Sequence, residues 1–503
     1  MLTPKAQLTE SERQSAMSPV VKDGIASITM TNLSSGPFLA AFALLLGASN
    51  TLLGLLAAIP PLGHLMQIPA IYLVERVRNR RVICLVASAI NRSCWLVIAL
   101  MPFWVPQSKR LLVLTVLLVV NSMFSAVSNC SWNSWMRDII PQSKLGHFFS
   151  RRLMLASSLS MVLSLAAGVF LDHRQQWVPG QPLMAYSVIF LVVFLLGVIS
   201  TYYIARIPEP MMEASAVSFK GLLARPFQDD NFRQLTIFLG AWNFAINLAA
   251  PFFTVYMLHQ LELPMGMVIQ LTVISQLFNI WFIKLWGRVV DQWSSKSVLM
   301  VSGPLFMFAT LAWTFTTLPG KYLLTVPLLF AIHAVMGIAL AGVTLASGTI
   351  TIKLAPKGLA TSYIATVTLV NSIAAGIAPI LGGLAIDSIA TWELAWTWTW
   401  RTATHAWSIT TFDLRQWDFF FVGAFIIGLY ALHRLAAVRE VGEVKEQIVI
   451  EELIAETRRG MRSLSTVYGI RQMVRFPIWL AGVARGGGNG LGLQEDSEKK
   501  DDE

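Results

Sequence analysis

The chain reads as an all-α membrane protein with twelve transmembrane helices in two pseudo-symmetric six-helix bundles. Three observations predict this. First, 55% of its 503 residues are hydrophobic and 13% are charged, with mean hydropathy +0.60; soluble domains carry about 25% charged residues. Second, the apolar residues come in blocks of about 20, long enough to cross a hydrocarbon core of about 30 Å as helix. Third, short charged turns and polar marks recur at an offset of about 215 residues, as in transporters built from repeats.

In order, spans are expected near 23–47, 50–75, 81–103, 110–136, 148–172 and 183–206, and then near 232–258, 264–290, 296–318, 322–350, 358–387 and 417–439. An even count puts both termini on one side, and the basic residues of the loops choose it. Sixteen, among them Arg78, Arg80, Arg137, Arg206 and Lys353, fall on one side, and six, such as Lys109 and Arg401, on the other. This bias places both termini in the cytoplasm. The net charge of +10 is thus a topology signal and not a nucleic-acid footprint. Residues 1–22 are polar, with no basic start running into a short apolar core, so no cleavable leader is expected. Cys84, Cys94 and Cys130 all fall inside spans, and no disulfide is suggested.

Domain organisation follows: a cytoplasmic segment 1–22, a first bundle 23–206, a linker 207–231 with Pro208, Pro210 and Pro226, and a second bundle 232–439. Residues 440–480 alternate charge with apolar residues at helical spacing and collect Arg458, Arg459, Arg462, Arg471 and Arg475. They suit an anionic membrane face or a solvated helix. Residues 481–503 are Gly-rich, then acidic, and are expected to be disordered.

The doubling is visible residue by residue. Asn32 opens NLSSGPF and Asn247 opens NLAAPFF; Pro141 matches Pro356; Gly168 and Asp172 close GVFLD as Gly383 and Asp387 close GLAID. The turn AIYLVERVRNRR, Ala70 to Arg81, matches KLWGRVVDQWSSK, Lys284 to Lys296.

These turns resemble the signature of the major facilitator superfamily, and the resemblance runs over about residues 23–439. In that family the signature reads Gly, any, apolar, small, Asp, Arg, any, Gly, then basic residues. Leu73, Val74, Glu75, Arg76, Arg80 and Arg81 fit it; Ile71 and Arg78 stand at the two glycine places, and Glu75 replaces the aspartate. The second copy keeps Gly287, Val289 and Asp291, but has Gln292 where a basic residue is usual. The resemblance implies a cytoplasmic gate. In it Glu75 faces the start of the eleventh helix near Gly358, and Asp291 faces the start of the fifth near Phe148. Arg76, Arg80, Arg81, Arg288, Arg151 and Arg152 lie around these two. A helix N-terminus carries about half a positive charge and favours such a carboxylate.

The same resemblance places helices one, four, seven and ten around a central cavity. Asn32, Asn121, Asn129, Asn243 and Asn247 are the polar candidates for its lining, since an amide in hydrocarbon needs a partner. Interhelical hydrogen bonding is the competing reading. Among ionisable residues inside spans, Arg92 is expected to make a structural bond to helix two, and His333 is the candidate for the cavity or a proton relay. No Asp or Glu is expected in mid-span, which argues against a carboxylate relay. The Gly-Pro run of the eleventh span, Gly376, Pro379, Gly382 and Gly383, resembles the signature of drug-proton antiporters. That signature belongs in the fifth helix, which here lacks the proline. Trp392, Trp396, Trp398, Trp400 and Trp407 crowd the outer loop Ser388 to Gln416, as interfacial anchors would.

The function expected is a secondary transporter moving a small solute across the cytoplasmic membrane by alternating access. A non-transporting scaffold of the same fold is the alternative. No nucleotide loop, metal-ligand cluster or nucleophile constellation is visible, so neither an enzyme nor a cofactor is expected. Expected partners are a small-molecule substrate, the bilayer, and protons or another coupling ion; the chain is expected to be a monomer.

Overall fold

Helix order follows the hydropathy closely. The computed structural model describes residue 5 and residues 9–140, 145–173, 182–212, 225–317, 322–356, 360–402, 405–440 and 448–451. Pro141, Gly358, most of 440–480 and all of 481–503 lie outside the described residues. Among the described residues twelve helices are long and apolar enough to cross a bilayer. They are α1 (Glu10–Leu45), α2 (Asn50–Val77), α3 (Arg80–Trp104), α4 (Gln107–Ile139), α5 (Phe148–Asp172) and α6 (Pro182–Ile204), followed by α7 (Asp230–Gln260), α8 (Met265–Gln292), α9 (Ser295–Thr316), α10 (Thr325–Leu354), α11 (Tyr363–Ser388) and α12 (Gln416–Leu435). The chain is one compact unit from Met1 to Val444. The end where α1 begins and α12 finishes is called terminal below, and the opposite end distal.

The first helix corrects the sequence reading. It starts at Glu10, not near residue 23. Thr9 caps it by accepting from the Glu12 N–H, while Glu12 accepts from the Thr9 N–H, the reciprocal pattern that Thr-x-x-Glu signals. The polar stretch is helical because one side of it is buried. Ala16 and Val20 pack into a core with Cys84, Trp135, Met136, Ile139, Phe148 and Ile204. The helix breaks at Ser35–Gly36, where Gly36 takes φ +54°, and restarts at Pro37. That left-handed conformation suits glycine, and proline suits the first turn that follows.

Each bundle is tied at the terminal end by a carboxylate lying beyond its sixth helix. Glu209 accepts from the backbone N–H of Arg80 (3.1 Å) and of Arg81, capping α3. Glu440 accepts from the N–H of Ser295 (3.2 Å) and Lys296 (2.7 Å), capping α9 at the equivalent place of the second half. Arg80, 1% exposed, binds Glu209 through Nε (3.0 Å), Asp138 on α4, and the Ser134 and Pro210 carbonyls. Lys353 on α10 reaches Glu440 at 3.3 Å.

The bundles meet along α2 against α11 and α5 against α8, and small residues permit the approach. A Cβ on Gly383 would lie 2.3 Å from the Asn50 carbonyl oxygen and 2.7 Å from Thr51 Cα. One on Gly54 would lie 2.0 Å from the Pro379 carbonyl oxygen, and one on Gly168 would lie 3.1 Å from Gly266 Cα. Past its Pro60-Pro61 break and a 3-10 turn, α2 leaves α11 and packs its last stretch, Gln67–Val77, on α4.

The outer loop is a second correction. Strand β1 (Glu393–Arg401) pairs antiparallel with β2 (Ala406–Arg415), forming a hairpin rooted directly at the ends of α11 and α12. Strand side chains alternate between faces, so Trp396, Trp398 and Trp400 share one face. All three are exposed, as is Trp407, which pairs with Trp400. The signal was present as Thr-Trp alternation.

Two predictions follow from these ties. Glu209→Ala uncaps α3 and strands a buried guanidinium, a change costing about 3–5 kcal/mol; the detergent-purified protein should melt well below wild type, and an unchanged melt would mean Glu209 does not hold the bundle. Gly383→Val meets backbone that cannot yield, an overpacking of about 1–3 kcal/mol. It should lower the melt by a few degrees, whereas Gly423→Val, where a Cβ would have open space, should leave it unchanged.

Candidate functional site

A cavity of about 240 Å³ opens inside the first bundle, lined by α1, α3, α4, α5 and the end of α6. Its charged lining is Asp23, Arg92 and Arg152; Ser27, Thr31, Ser88, Asn91, Ser128 and Asn129 supply hydrogen-bonding groups. Thr31, Asn129 and Asn133 are exposed, so the cavity communicates with solvent.

The charges converge on Asp23, which is 2% exposed. One carboxylate oxygen accepts from Ser200 on α6, and the other lies 3.5 Å from Arg152 Nη2. Arg152 also donates from Nε to the Val20 carbonyl at 3.2 Å, and its guanidinium sits 4.6 Å from the centre of the Trp132 ring. Arg92, 6% exposed, donates to Ser200 Oγ at 2.7 Å and to Thr201 Oγ1. The bond expected from Arg92 to helix two is therefore made to α6. Asp23 itself lies thirteen residues into α1, level with Ser200 near the terminal end of α6. Sequence reasoning missed it by starting the span at residue 23, where an aspartate reads as a boundary.

The amides go to different places. Asn129 lines the cavity. Asn121 and Asn91 clasp α4 to α3 by exchanging side-chain and backbone bonds of 2.9 and 3.3 Å. Asn32 donates to Ser160 Oγ on α5 at 2.6 Å. Asn243 and Asn247 each donate to a carbonyl one turn back on α7, at 2.9 and 2.8 Å. His333 is 7% exposed; its Nδ1–H donates to the Leu329 carbonyl, and its ring meets Trp313 edge-on at 5.4 Å. That is the geometry of a packed, structural histidine.

At the terminal end the expected gate divides. Arg80, Arg81 and Arg152 bind within the first bundle and its following link: Arg81 donates to the Ala205 carbonyl, and the other two as given above. Glu75 is half-buried; Arg76, Arg151 and Arg288 are exposed. Asp291 is exposed and has no hydrogen-bond or ion partner among the described residues. Arg78, at the family's glycine place, keeps a glycine-like φ of 52°.

The distal end is closed by the residues that marked the repeat. Asp387, ending α11, accepts at the N-terminus of α2 from the Thr51 N–H (2.9 Å), Thr51 Oγ1 (2.6 Å) and Asn50 Nδ2 (2.8 Å). Asp172, ending α5, accepts from the Gly266 N–H at 2.8 Å, at the N-terminus of α8. Each carboxylate thus meets the positive end of a helix in the other bundle. Gly383 and Gly168, four residues earlier in each case, supply the close approach. Below this closure lies a smaller apolar cavity of about 130 Å³, lined by Leu53, Ala57, Ala250 and Pro251 among others.

Among curated proteins no sequence relative is matched. Solved structures resemble the fold. A point-mutant form of the nucleoside transporter NupG superposes with TM-score 0.67 at 11% identity, covering 84% of this chain and 100% of that one. A D-xylose-proton symporter gives 0.63 at 14% identity, over 86% and 99%. A bacterial homologue of the iron transporter ferroportin, in an inward-facing state, gives 0.60 at 11%, over 85% and 99%. The family model of the Major Facilitator Superfamily matches residues 24–379 and again 234–487. With this match across both halves, the chain belongs to the Major Facilitator Superfamily.

Proposed function

We propose that the protein is a secondary transporter that moves a small solute across the cytoplasmic membrane by alternating access, with the terminal, basic end inside. The carrying observation is the asymmetry between its ends. Two symmetric carboxylate-on-helix latches are engaged at the distal end, while Asp291 at the terminal end has no partner among the described residues. A polar, charged cavity lies between, reached by exposed lining residues. We read this asymmetry as that of an inward-open state.

A transporter needs two states of similar energy, and these latches suit that need. A carboxylate at an exposed helix N-terminus contributes about 0.3–1 kcal/mol. Breaking two of them is within reach of thermal exchange, and a contact made by Asp291 at the other end would offset part of the loss. A polar, charged cavity reached by exposed residues suits a solute path and favours the transporter reading over a scaffold.

The double variant Asp172→Asn, Asp387→Asn should shift the balance toward distal opening by up to about tenfold, the equivalent of 1.4 kcal/mol. With Ala57→Cys as reporter under the closure, an impermeant maleimide applied from the distal side should label it severalfold faster than in the wild-type background. Equal rates would remove the latches from the gating scheme. Independently, proteoliposomes should exchange at least one solute of a broad labelled panel, and a protein that exchanges none would end the transport reading.

A further inference from the structure

The charge balance of the cavity points to a class of substrate. Two guanidinium groups and one carboxylate are its charged lining, a net of one positive charge. Arg92 and Asp23 are almost wholly buried, and the Arg152 side chain is 13% exposed. An uncompensated charge in such a place is costly, and nothing else charged lines the cavity to neutralise it. Both arginines also keep a donor to spare. Arg152 Nη1 and Arg92 Nε have no protein partner among the described residues, although the other guanidinium nitrogens are bonded.

We infer that the cavity binds a small organic or inorganic anion, a carboxylate or phosphate group held chiefly by Arg152 with Arg92 behind it. The inference rests on the transporter reading for its physiological meaning, but its binding chemistry stands on the cavity alone. Arg152 is the primary contact because it is the more accessible and is tied to Asp23 by a long 3.5 Å pair. A planar guanidinium presents paired donors matched to a carboxylate or phosphate. Asn129, exposed on α4, also lines the cavity and can bond the rest of the solute. About 240 Å³ accommodates an anion of several carbon atoms.

Asp23 then has a definite part. It is the resident anion of the site, and an incoming carboxylate competes with it for Arg152. Removing its charge should strengthen anion binding, the reverse of what loss of an ordinary binding residue would do. A cation-binding site would respond in the opposite sense.

The experiment is equilibrium dialysis of labelled benzoate, succinate and inorganic phosphate against the full-length protein in detergent, with xylose and choline as neutral and cationic counterparts. At least one anion should bind saturably while xylose and choline do not. Arg152→Gln should weaken that binding at least tenfold, Arg152→Lys should restore part of it, and Asp23→Asn should tighten it severalfold. Melting curves of each variant establish that it is folded, and the lysine variant keeps the test open if the glutamine variant is not. Three results overturn the inference: no saturable binding by any of the three anions, binding unchanged in folded Arg152→Gln, or tighter binding of choline in Asp23→Asn. Saturable xylose binding without anion binding sinks the substrate class and leaves transport standing. Anion binding in a protein that exchanges no solute in proteoliposomes keeps the site and sinks the transporter reading.

Discussion

A carboxylate set on the first turn of a helix from the opposite bundle is the interaction on which the arrangement of the two halves depends. It occurs twice, at Asp387 on α2 and at Asp172 on α8. Its strength comes from orphan backbone N–H groups that no residue within the helix can satisfy, so it depends little on the surrounding side chains. Four residues before each carboxylate a glycine removes the Cβ that would hold the backbones apart. Charge and clearance act together: at Gly383 an added Cβ would push the backbones apart, and at Gly168 it would crowd them.

Within each half the same physics is used differently. Glu209 and Glu440 cap α3 and α9 from residues beyond the sixth helix, so each bundle is closed on itself by one carboxylate. The ties within bundles are buried and multiple, while those between bundles are exposed and few. Arg80 is almost wholly buried and bonded on several sides, whereas Asp172 and Asp387 are exposed. The buried ties hold each half together more firmly than the exposed ones hold the two halves to each other.

The twelve helices and their doubling were legible because hydrocarbon demands long apolar helices whatever else the chain does. Gly168, Asp172, Gly383 and Asp387 were visible as repeat marks, but their contacts were not, since a carboxylate at a helix end names no partner. Asp23 was hidden by its polar flank, Glu10 to Lys22, whose helical face is buried only once α3, α4 and α5 are assembled. The charged turn fixes the end of the membrane at which Arg80 lies but not the direction of its side chain, which reaches Glu209, Asp138 and Ser134. His333 and Asn121 share one lesson: a polar residue inside a span announces that it has a partner, without saying whether that partner is a ligand, a neighbouring helix or its own backbone.

The tryptophan hairpin is joined to this seam in a way that its sequence does not suggest. Its first strand follows α11 a few residues after Asp387, and its second runs straight into α12. At its base Gln416 donates from its side chain to the Ile386 carbonyl and from its backbone to the Trp392 carbonyl. The ribbon, the last turn of α11 and the Asp387 latch therefore form one hydrogen-bonded piece. Mechanically the hairpin is a lever arm in series with the latch: a load taken by its row of exposed indole rings arrives, one residue removed, at the carboxylate that holds the two bundles together.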